Sequence, residues 1–224
     1  MIDRYSLVAS KDKIFKSLGK LEFTTDYFLS YNISPLDQSY IITQEDRSLI
    51  QCYRWGLLPA WSRQGINSGN LYNARTQGIV SKPSYRIPIR QKRCVVLADS
   101  FYVFDKMGYA YRVFKKDHGV ILFAGLYDQC YTGGKEQKTF TIITSPANRE
   151  VARHHDRSPV ILGKKDMDTW LDNSSSISNI LGLLKPNDNY SISLYKVSPD
   201  LQNKEINNPI LHEEVISDMT LFDL

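Results

Sequence analysis

Continuous or alternating apolar segments, rich in β-branched and aromatic residues, dominate the chain and predict strands. Most are bounded by Gly, Pro, Asn or Asp, residues that favour turns over regular structure. The predicted strands are Tyr5–Ala9, Tyr40–Thr43, Leu49–Leu57, Arg93–Leu97, Phe101–Phe104, Tyr109–Phe114, Val120–Leu126, Phe140–Thr144 and Tyr190–Val197.

Helical periodicity is confined to shorter segments, and the pattern as a whole predicts a strand-rich α+β fold. The clearest local signal is Ser145-Pro146, a serine cap followed by proline at the first helical position. This helix would place His155 at or just beyond its end, where a loop leaves the imidazole able to act as acid or base. The predicted helices are Lys11–Leu18, Pro146–Arg153, Lys165–Leu171 and Ile177–Leu184.

Length and composition fit one globular domain spanning residues 1–224. The chain has 224 residues, of which 42% are hydrophobic and 23% charged, enough for one well-buried core. No apolar run approaches the ~18 residues that span a bilayer. The segment Met1–Tyr5 lacks the basic and apolar regions of a secretory signal. We therefore expect a cytoplasmic protein with no membrane partner.

Cysteine and histidine usage predicts neither disulfides nor a metal site. The three cysteines are few and far apart, with no CxxC spacing. Only His154 and His155 are adjacent, and neighbouring positions cannot easily chelate one ion. Cys52 and Cys94 are expected to be buried, whereas Cys130, after a strand end, is expected to be exposed. No metal or cofactor is predicted.

The charge is unevenly distributed. The net charge is +4, yet residues 201–224 carry five acidic residues against one lysine. A basic cluster in the body of the chain is suited either to attracting a polyanion or to forming an ordinary solvated face. Its members are Lys82, Arg86, Arg90, Lys92 and Arg93.

An aromatic segment, Trp55–Trp61, is followed by Asn73-Ala74-Arg75. Tryptophan offers a flat face on which a base can stack, and arginine can hold a phosphate in a charge-assisted pair. The combination is typical of a nucleic-acid groove. Alternatively, both tryptophans anchor the core and Pro59 only ends a strand.

In their order along the chain, several motifs together resemble the SOS-response-associated peptidase (SRAP) family, the abasic-site processing proteins. Each motif is weak alone, but the ordered set covers nearly the full length. The motifs are Arg4-Tyr5, Tyr31-Asn32-Ile33-Ser34-Pro35, Trp55–Trp61, Asn73-Ala74-Arg75, Arg93–Tyr102, Phe123–Asp128, Thr144–Asn148 and His155–Leu162.

The resemblance implies a mainly antiparallel, barrel-like β core with peripheral helices and a basic cleft for single-stranded DNA carrying an abasic site. It also implies a chemistry. In the family, a cysteine at position 2, exposed when the initiator methionine is removed, captures the ring-opened sugar as a thiazolidine. An amine captures an aldehyde as an imine, and an adjacent thiolate can close the ring.

The chain departs from the family at the reactive positions. Position 2 is Ile2, so it offers no thiol, and its bulk should discourage removal of Met1. Val103 replaces the glutamate of the family's Phe-Tyr-Glu-Trp motif, and Gln77 stands where a glutamate usually follows Asn-Ala-Arg. Both changes remove a carboxylate.

The binding residues match the family better than the reactive ones do. By the resemblance, Asn73 and His155 are the retained catalytic positions. The family positions expected to contact DNA are Arg4, Pro35, Trp61, Asn73, Arg75 and Arg157.

Three functions remain open from the sequence. The first is a monomer that binds single-stranded or abasic DNA in the SOS response with crosslinking lost or reduced. The second is an active peptidase or lyase using the Met1 α-amine and His155. The third is an interaction module in which the acidic segment 213–218 folds across the cleft.

Overall fold

The computed structural model describes residues 2–62, 71–186 and 190–216, and it confirms a strand-rich α+β fold. Within these ranges the strands are β1 (Tyr5–Leu7), β2 (Glu22–Phe23), β3 (Ser30–Ile33), β4 (Gln38–Thr43), β5 (Leu49–Trp55), β6 (Asn73–Arg75), β7 (Arg93–Ala98), β8 (Ser100–Phe104), β9 (Ala110–Lys115), β10 (Ile121–Thr132), β11 (Lys135–Pro146), β12 (Arg157–Pro159) and β13 (Ile192–Lys196). The helices are α1 (Lys11–Leu18), α2 (Pro88–Gln91), α3 (Lys164–Leu171) and α4 (Ile177–Gly182).

Five strands close into a barrel, which confirms the barrel-like, mainly antiparallel core. The antiparallel pairs β5–β4, β4–β7, β7–β10 and β10–β11 form a continuous sheet. A parallel pairing of β11 with β5 joins its two ends. Closure leaves fewer exposed strand edges and fixes the strands relative to one another.

A second sheet carries the N-terminal strand. Its order is β13-β9-β8-β1-β3. In it β1 lies between β8 and β3, with Tyr5 opposite both Phe101 and Ile33. Because β1 is paired on both sides, the residues before it are held in a defined place.

Aromatic side chains join the two sheets in the core. The Tyr5 ring lies 5.0 Å from the Trp55 ring and 5.9 Å from the Phe123 ring, both edge to face. All three side chains are fully buried. Such pairs stabilise beyond the area that they bury, so the core fixes the start of β1 against the barrel.

The predicted helix Pro146–Arg153 is wrong. Ser145 and Pro146 are the last residues of β11 and pair with β12. Only Val151–Arg153 form a 3₁₀ turn, and the Asn148 side chain accepts the N–H of its first residue at 3.1 Å. Long-range strand pairing therefore overrides the local capping signal, since proline at a strand end need not donate to the ladder.

Strand lengths also differ from the expectation. Strand β10 continues to Thr132 and β11 begins at Lys135, so both are longer than predicted. Gly133 and Gly134 join them. Both glycines have positive φ, at 60° and 77°, as a tight hairpin turn requires. The short strands β2, β3, β6 and β12 were not predicted, since they lack a long apolar pattern.

The cysteines are all reduced, and one expectation about them is wrong. Cys94 is fully buried and Cys52 is half-buried. Cys130, expected to be exposed, is only 4% exposed because it lies inside the long arm β10, beyond the predicted strand end. Separately, no helix in the described ranges is long and apolar enough to cross a membrane.

The segment from Leu201 to Ile216 packs on the second sheet. Asn32 donates its side-chain N–H groups to carbonyl oxygens between Leu201 and Ile206 at 3.0–3.1 Å. Further on, the N–H of Val215 bonds to the carbonyl of Lys196 on β13. Of the acidic segment 213–218, the last two residues lie outside the described ranges.

His212 fixes this segment to β1. Its Nε2 lies 3.1 Å from the Ser6 hydroxyl, and its ring packs edge to face on Tyr31 at 4.8 Å. Burial, and secondarily the charge of Arg112, lowers the pKa of His212 to about 3. The imidazole is therefore neutral in the folded protein at pH 7.

The neutral His212 should make stability depend on pH. The unfolded chain takes up a proton on this residue below about pH 6.5, whereas the folded chain does not. The free energy of unfolding should fall with decreasing pH by at most about 1.4 kcal/mol per unit from this residue. Urea titrations between about pH 6.5 and 5 should show that the free energy of unfolding of His212→Gln depends less steeply on pH than that of the wild type. Parallel pH profiles for the two proteins would contradict this account.

Candidate nucleic-acid interface

Asn73 and the second residue of the chain form the centre of the site. Asn73 lies in β6, which runs parallel to β11 with Asn73 opposite Ile142. Its side-chain Nδ2 donates to the carbonyl oxygen of Ile2. The Tyr85 hydroxyl donates to the Asn73 carbonyl at 3.3 Å. The first bond orients the side-chain amide, and the second holds the Asn73 backbone.

The amide leaves one buried acceptor for a ligand. Asn73 is 7% exposed, and its Oδ1 has no hydrogen-bond partner among the described residues. The same is true of buried Asp3 Oδ1 and Arg4 Nε, close to Ile2 in the chain. Unsatisfied buried polar atoms cost free energy, so native proteins usually pair them with protein, water or ligand.

The side chain of Ile2 is part of the hydrophobic core. It is 1% exposed and belongs to the same apolar cluster as Tyr5 and Trp55. The backbone of position 2 thus faces Asn73 while its side chain is buried. Met1, whose α-amine was considered as a nucleophile, lies outside the described residues.

Two arginines meet at the end of β11. Arg75 lies opposite Thr144, and the Arg157 guanidinium donates to the Thr144 carbonyl and, at 3.2 Å, to its hydroxyl. Arg157 is 8% exposed, whereas Arg75 is exposed. Burial, and then the neighbouring charge of Arg75, lowers the pKa of Arg157 below its usual value. Arg157 remains charged, because a guanidinium keeps its proton in proteins.

Among the described residues, no carboxylate pairs with the exposed member of this pair. The Arg75 guanidinium forms no hydrogen bond or ion pair with the residues that the structure describes. A planar guanidinium suits a phosphate or carboxylate oxygen pair. The arrangement therefore favours an anionic ligand.

His155 lies in the loop between the 3₁₀ turn and β12. Its Nδ1 lies 2.9 Å from the carbonyl oxygen of Arg157 and 3.1 Å from the backbone nitrogen of the same residue, and Asp156 Oδ1 lies 3.5 Å away. The half-buried imidazole is thus oriented by the same residue that forms the cationic pair.

Arg4 directly precedes β1 and is hydrogen-bonded to β8. Its carbonyl accepts the N–H of Tyr102 at 3.1 Å, and its own guanidinium donates to the Asp3 carbonyl at 2.8 Å. The side chain is half-buried. The backbone of Arg4, two residues after Ile2, is therefore fixed by β8.

The two tryptophans have different roles. Trp55 is fully buried, and its indole N–H donates to the Tyr72 carbonyl at 2.7 Å. Trp61 is 59% exposed. The core interpretation is thus right for Trp55, while Trp61 offers an open aromatic face.

The loop before Trp61 is fixed by a buried carboxylate. Asp128 in β10 is 5% exposed; its Oδ2 accepts the Ala60 N–H at 2.7 Å and its Oδ1 pairs with Lys92 at 2.5 Å. The Thr139 hydroxyl accepts the Leu58 N–H at 2.8 Å. Sequence reasoning did not assign these roles, although a charged residue within an apolar strand was a visible signal.

The basic cluster 82–93 divides into two parts. Lys92 pairs with Asp128, and Arg93, 1% exposed, donates to backbone carbonyls of α2 and α3 and of residues next to them. Only Lys82, Arg86 and Arg90 are exposed. The five residues therefore do not form one exposed basic surface that could attract a polyanion.

The two positions that lack the family glutamates differ in exposure. Val103 is 1% exposed in β8, and Gln77 is exposed in the loop after β6. Pro35, half-buried, occupies a turn after β3. The structure thus brings together Asn73, Arg75, Arg157 and His155 around β11 and β12.

The fold and the site define a closed β-barrel protein in which Asn73 binds the Ile2 carbonyl and two arginines lie at the end of β11. The family model described as "SOS response associated peptidase (SRAP)" matches residues 1–204. The chain belongs to this family.

Named relatives and a solved structure agree with this assignment. The chain is 32% identical to the abasic site processing protein YoqW of Bacillus subtilis over 222 residues, covering 95% of this chain and 99% of that one. It is 33% identical to YoaM of the same organism, covering 93% and 95%. A crystal structure of a protein from Bacteroides thetaiotaomicron matches with TM-score 0.77 and 30% identity, covering 83% of this chain and 85% of that one.

Removing the buried carboxylate should loosen the Trp61 loop. In Asp128→Ala the Ala60 N–H and Lys92 lose their partner, and the free energy of unfolding should fall by about 2 kcal/mol. Since Trp55 and Trp170 are buried, acrylamide quenching mainly reports Trp61 and should increase.

A matched control is Glu136→Ala on the adjacent hairpin. Glu136 pairs with Lys138 at 3.8 Å, and both side chains are well exposed. Its loss should change stability by less than about 1 kcal/mol. Equal effects of the two substitutions would argue against a special role for Asp128.

Proposed function

We propose that this protein binds single-stranded DNA at abasic sites and that the covalent thiazolidine step is lost or much reduced. Two curated relatives of nearly the same length are named abasic site processing proteins. The observation that carries the proposal is the hydrogen bond from Asn73 to the Ile2 carbonyl. It holds position 2 at Asn73, two residues before Arg75 in β6, and the residue at position 2 has no thiol.

The charges and the aromatic face suit a DNA strand. Arg75, exposed and without a neutralising partner among the described residues, binds a backbone phosphate, and the buried Arg157 adds to the local positive potential. Trp61 stacks on a base. Stacking contributes about 1–3 kcal/mol per base, so binding does not require a covalent bond.

The amide suits the opened sugar. Asn73 Oδ1 is a buried acceptor without a partner among the described residues, and a sugar hydroxyl can donate to it. His155, oriented through Arg157, moves protons at the same place. These two residues position the sugar, whereas a nucleophilic thiol is missing.

A second candidate is a reversible imine at the Met1 α-amine. The observation that favours it is that Ile2 is held at Asn73, one peptide bond from residue 1. An amine condenses with an aldehyde to an imine and releases water, and no thiol is needed. Such an adduct survives denaturation only after reduction by borohydride.

Neutralising Arg75 should weaken binding through the phosphate contact. For Arg75→Gln the logarithm of the affinity should vary less steeply with the logarithm of salt concentration, by about 0.7, because one phosphate contact is lost. Fluorescence anisotropy with labelled single-stranded DNA at several salt concentrations measures this slope.

The control for net charge is Lys165→Gln on α3, which is also an exposed cation. It should leave the slope unchanged. The proposal fails if the wild type shows no binding even at low ionic strength, or if both substitutions have the same effect.

Covalent chemistry is tested by comparing native and denaturing gels on abasic and intact single strands. Because position 2 is apolar and buried, the wild type should shift only the native gel. Ile2→Cys restores the thiol and should give an adduct that survives denaturation.

The matched variant is Ile2→Ala, which is as small as cysteine but carries no thiol. It should behave like the wild type in denaturing gels. A denaturation-resistant adduct of the untreated wild type would overturn the loss of crosslinking, and an adduct seen only with borohydride would support the imine.

A further inference from the structure

The turn after β3 has an unusual residue at its third position. The Asp37 N–H bonds to the Ser34 carbonyl at 3.0 Å, and the Asp37 carboxylate accepts both the N–H and the hydroxyl of Ser34 at 2.8 Å. Pro35 occupies the second position and Leu36 the third, with φ of 80°. This is the geometry of a type II turn, whose third position favours glycine.

Leucine at this position costs free energy that burial does not recover. A non-glycine residue in this region costs of order 1 kcal/mol, because its Cβ crowds the backbone. The Leu36 side chain is 49% exposed, so much of its apolar surface stays in water. Strain that the fold does not need often marks a ligand contact.

The turn lies at the same end of β1 as the proposed site. Since β3 is antiparallel to β1 with Ile33 opposite Tyr5, the chain after Ile33 runs beside the residues before Tyr5. The Leu36 N–H also bonds to the Trp55 carbonyl at 2.7 Å. Leu36 is thus anchored to the strand that leads into the Trp61 loop.

We propose that Leu36 is an apolar wedge that inserts beside a nucleobase flanking the abasic site. This rests on the proposed DNA binding. Leucine side chains that enter between base steps unstack them, and a base next to an abasic gap has already lost one stacking neighbour. A rigid turn, fixed by Asp37 and Trp55, holds such a wedge in place without the ligand.

The test uses single-stranded DNA with a tetrahydrofuran abasic analogue flanked by 2-aminopurine, on the 5′ side in one strand and the 3′ side in another. Insertion of the wedge should raise the fluorescence of one of them. In Leu36→Asn the polar residue tolerates positive φ. We expect about fivefold weaker binding, loss of the fluorescence rise and no decrease in Tm.

The matched control is Leu36→Met, which keeps an apolar side chain and should retain both affinity and fluorescence. Equal binding by the wild type and Leu36→Asn overturns the wedge and leaves the proposed function intact. A lower Tm of Leu36→Asn together with weaker binding also overturns it, since the leucine would then support the fold. A wild type that does not bind the abasic strand overturns both proposals.

Discussion

The fold and the site depend on the pairing of one strand, β11. Its first part pairs with β10 and, through Thr139 and Phe140, with β5, which closes the barrel. Its last part pairs with β6 and β12, which carry Asn73, Arg75 and Arg157. The same backbone ladder therefore closes the core and sets the spacing of the site residues. A site built on paired strands is placed more accurately than one built on loops.

Most strands of this ladder have strong apolar patterns and could be predicted from the sequence. The short polar strands could not. The centres of β7, β10 and β11 follow from their β-branched runs, but β6 and β12 have three residues each and form only through distant partners. Ser145-Pro146 shows the limit of local signals, because a good helix start is used as a strand end. Motif order supplied the site residues, whereas burial decided their roles: Trp55 and Trp61 look alike in the sequence and differ in exposure.

The electrostatics of the site follow from where its counter-charges are placed. Lys92 has Asp128, and Arg93 is bound by backbone carbonyls, so both cations are used by the fold. Arg157 is bound to a threonine rather than to a carboxylate, and Arg75 lies beside it. Two neighbouring like charges repel, and an anion placed between them relieves that repulsion.

Ile2 belongs both to the hydrophobic core and, through its carbonyl, to the candidate site. Complete burial of an isoleucine stabilises a protein by about 1.5–3 kcal/mol, and Ile2 is 1% exposed within the main core. Ile2 therefore anchors the N-terminus by packing, while Asn73 still holds its carbonyl. The hydrogen bond from Asn73 thus fixes the backbone of position 2, where the side chain carries no thiol.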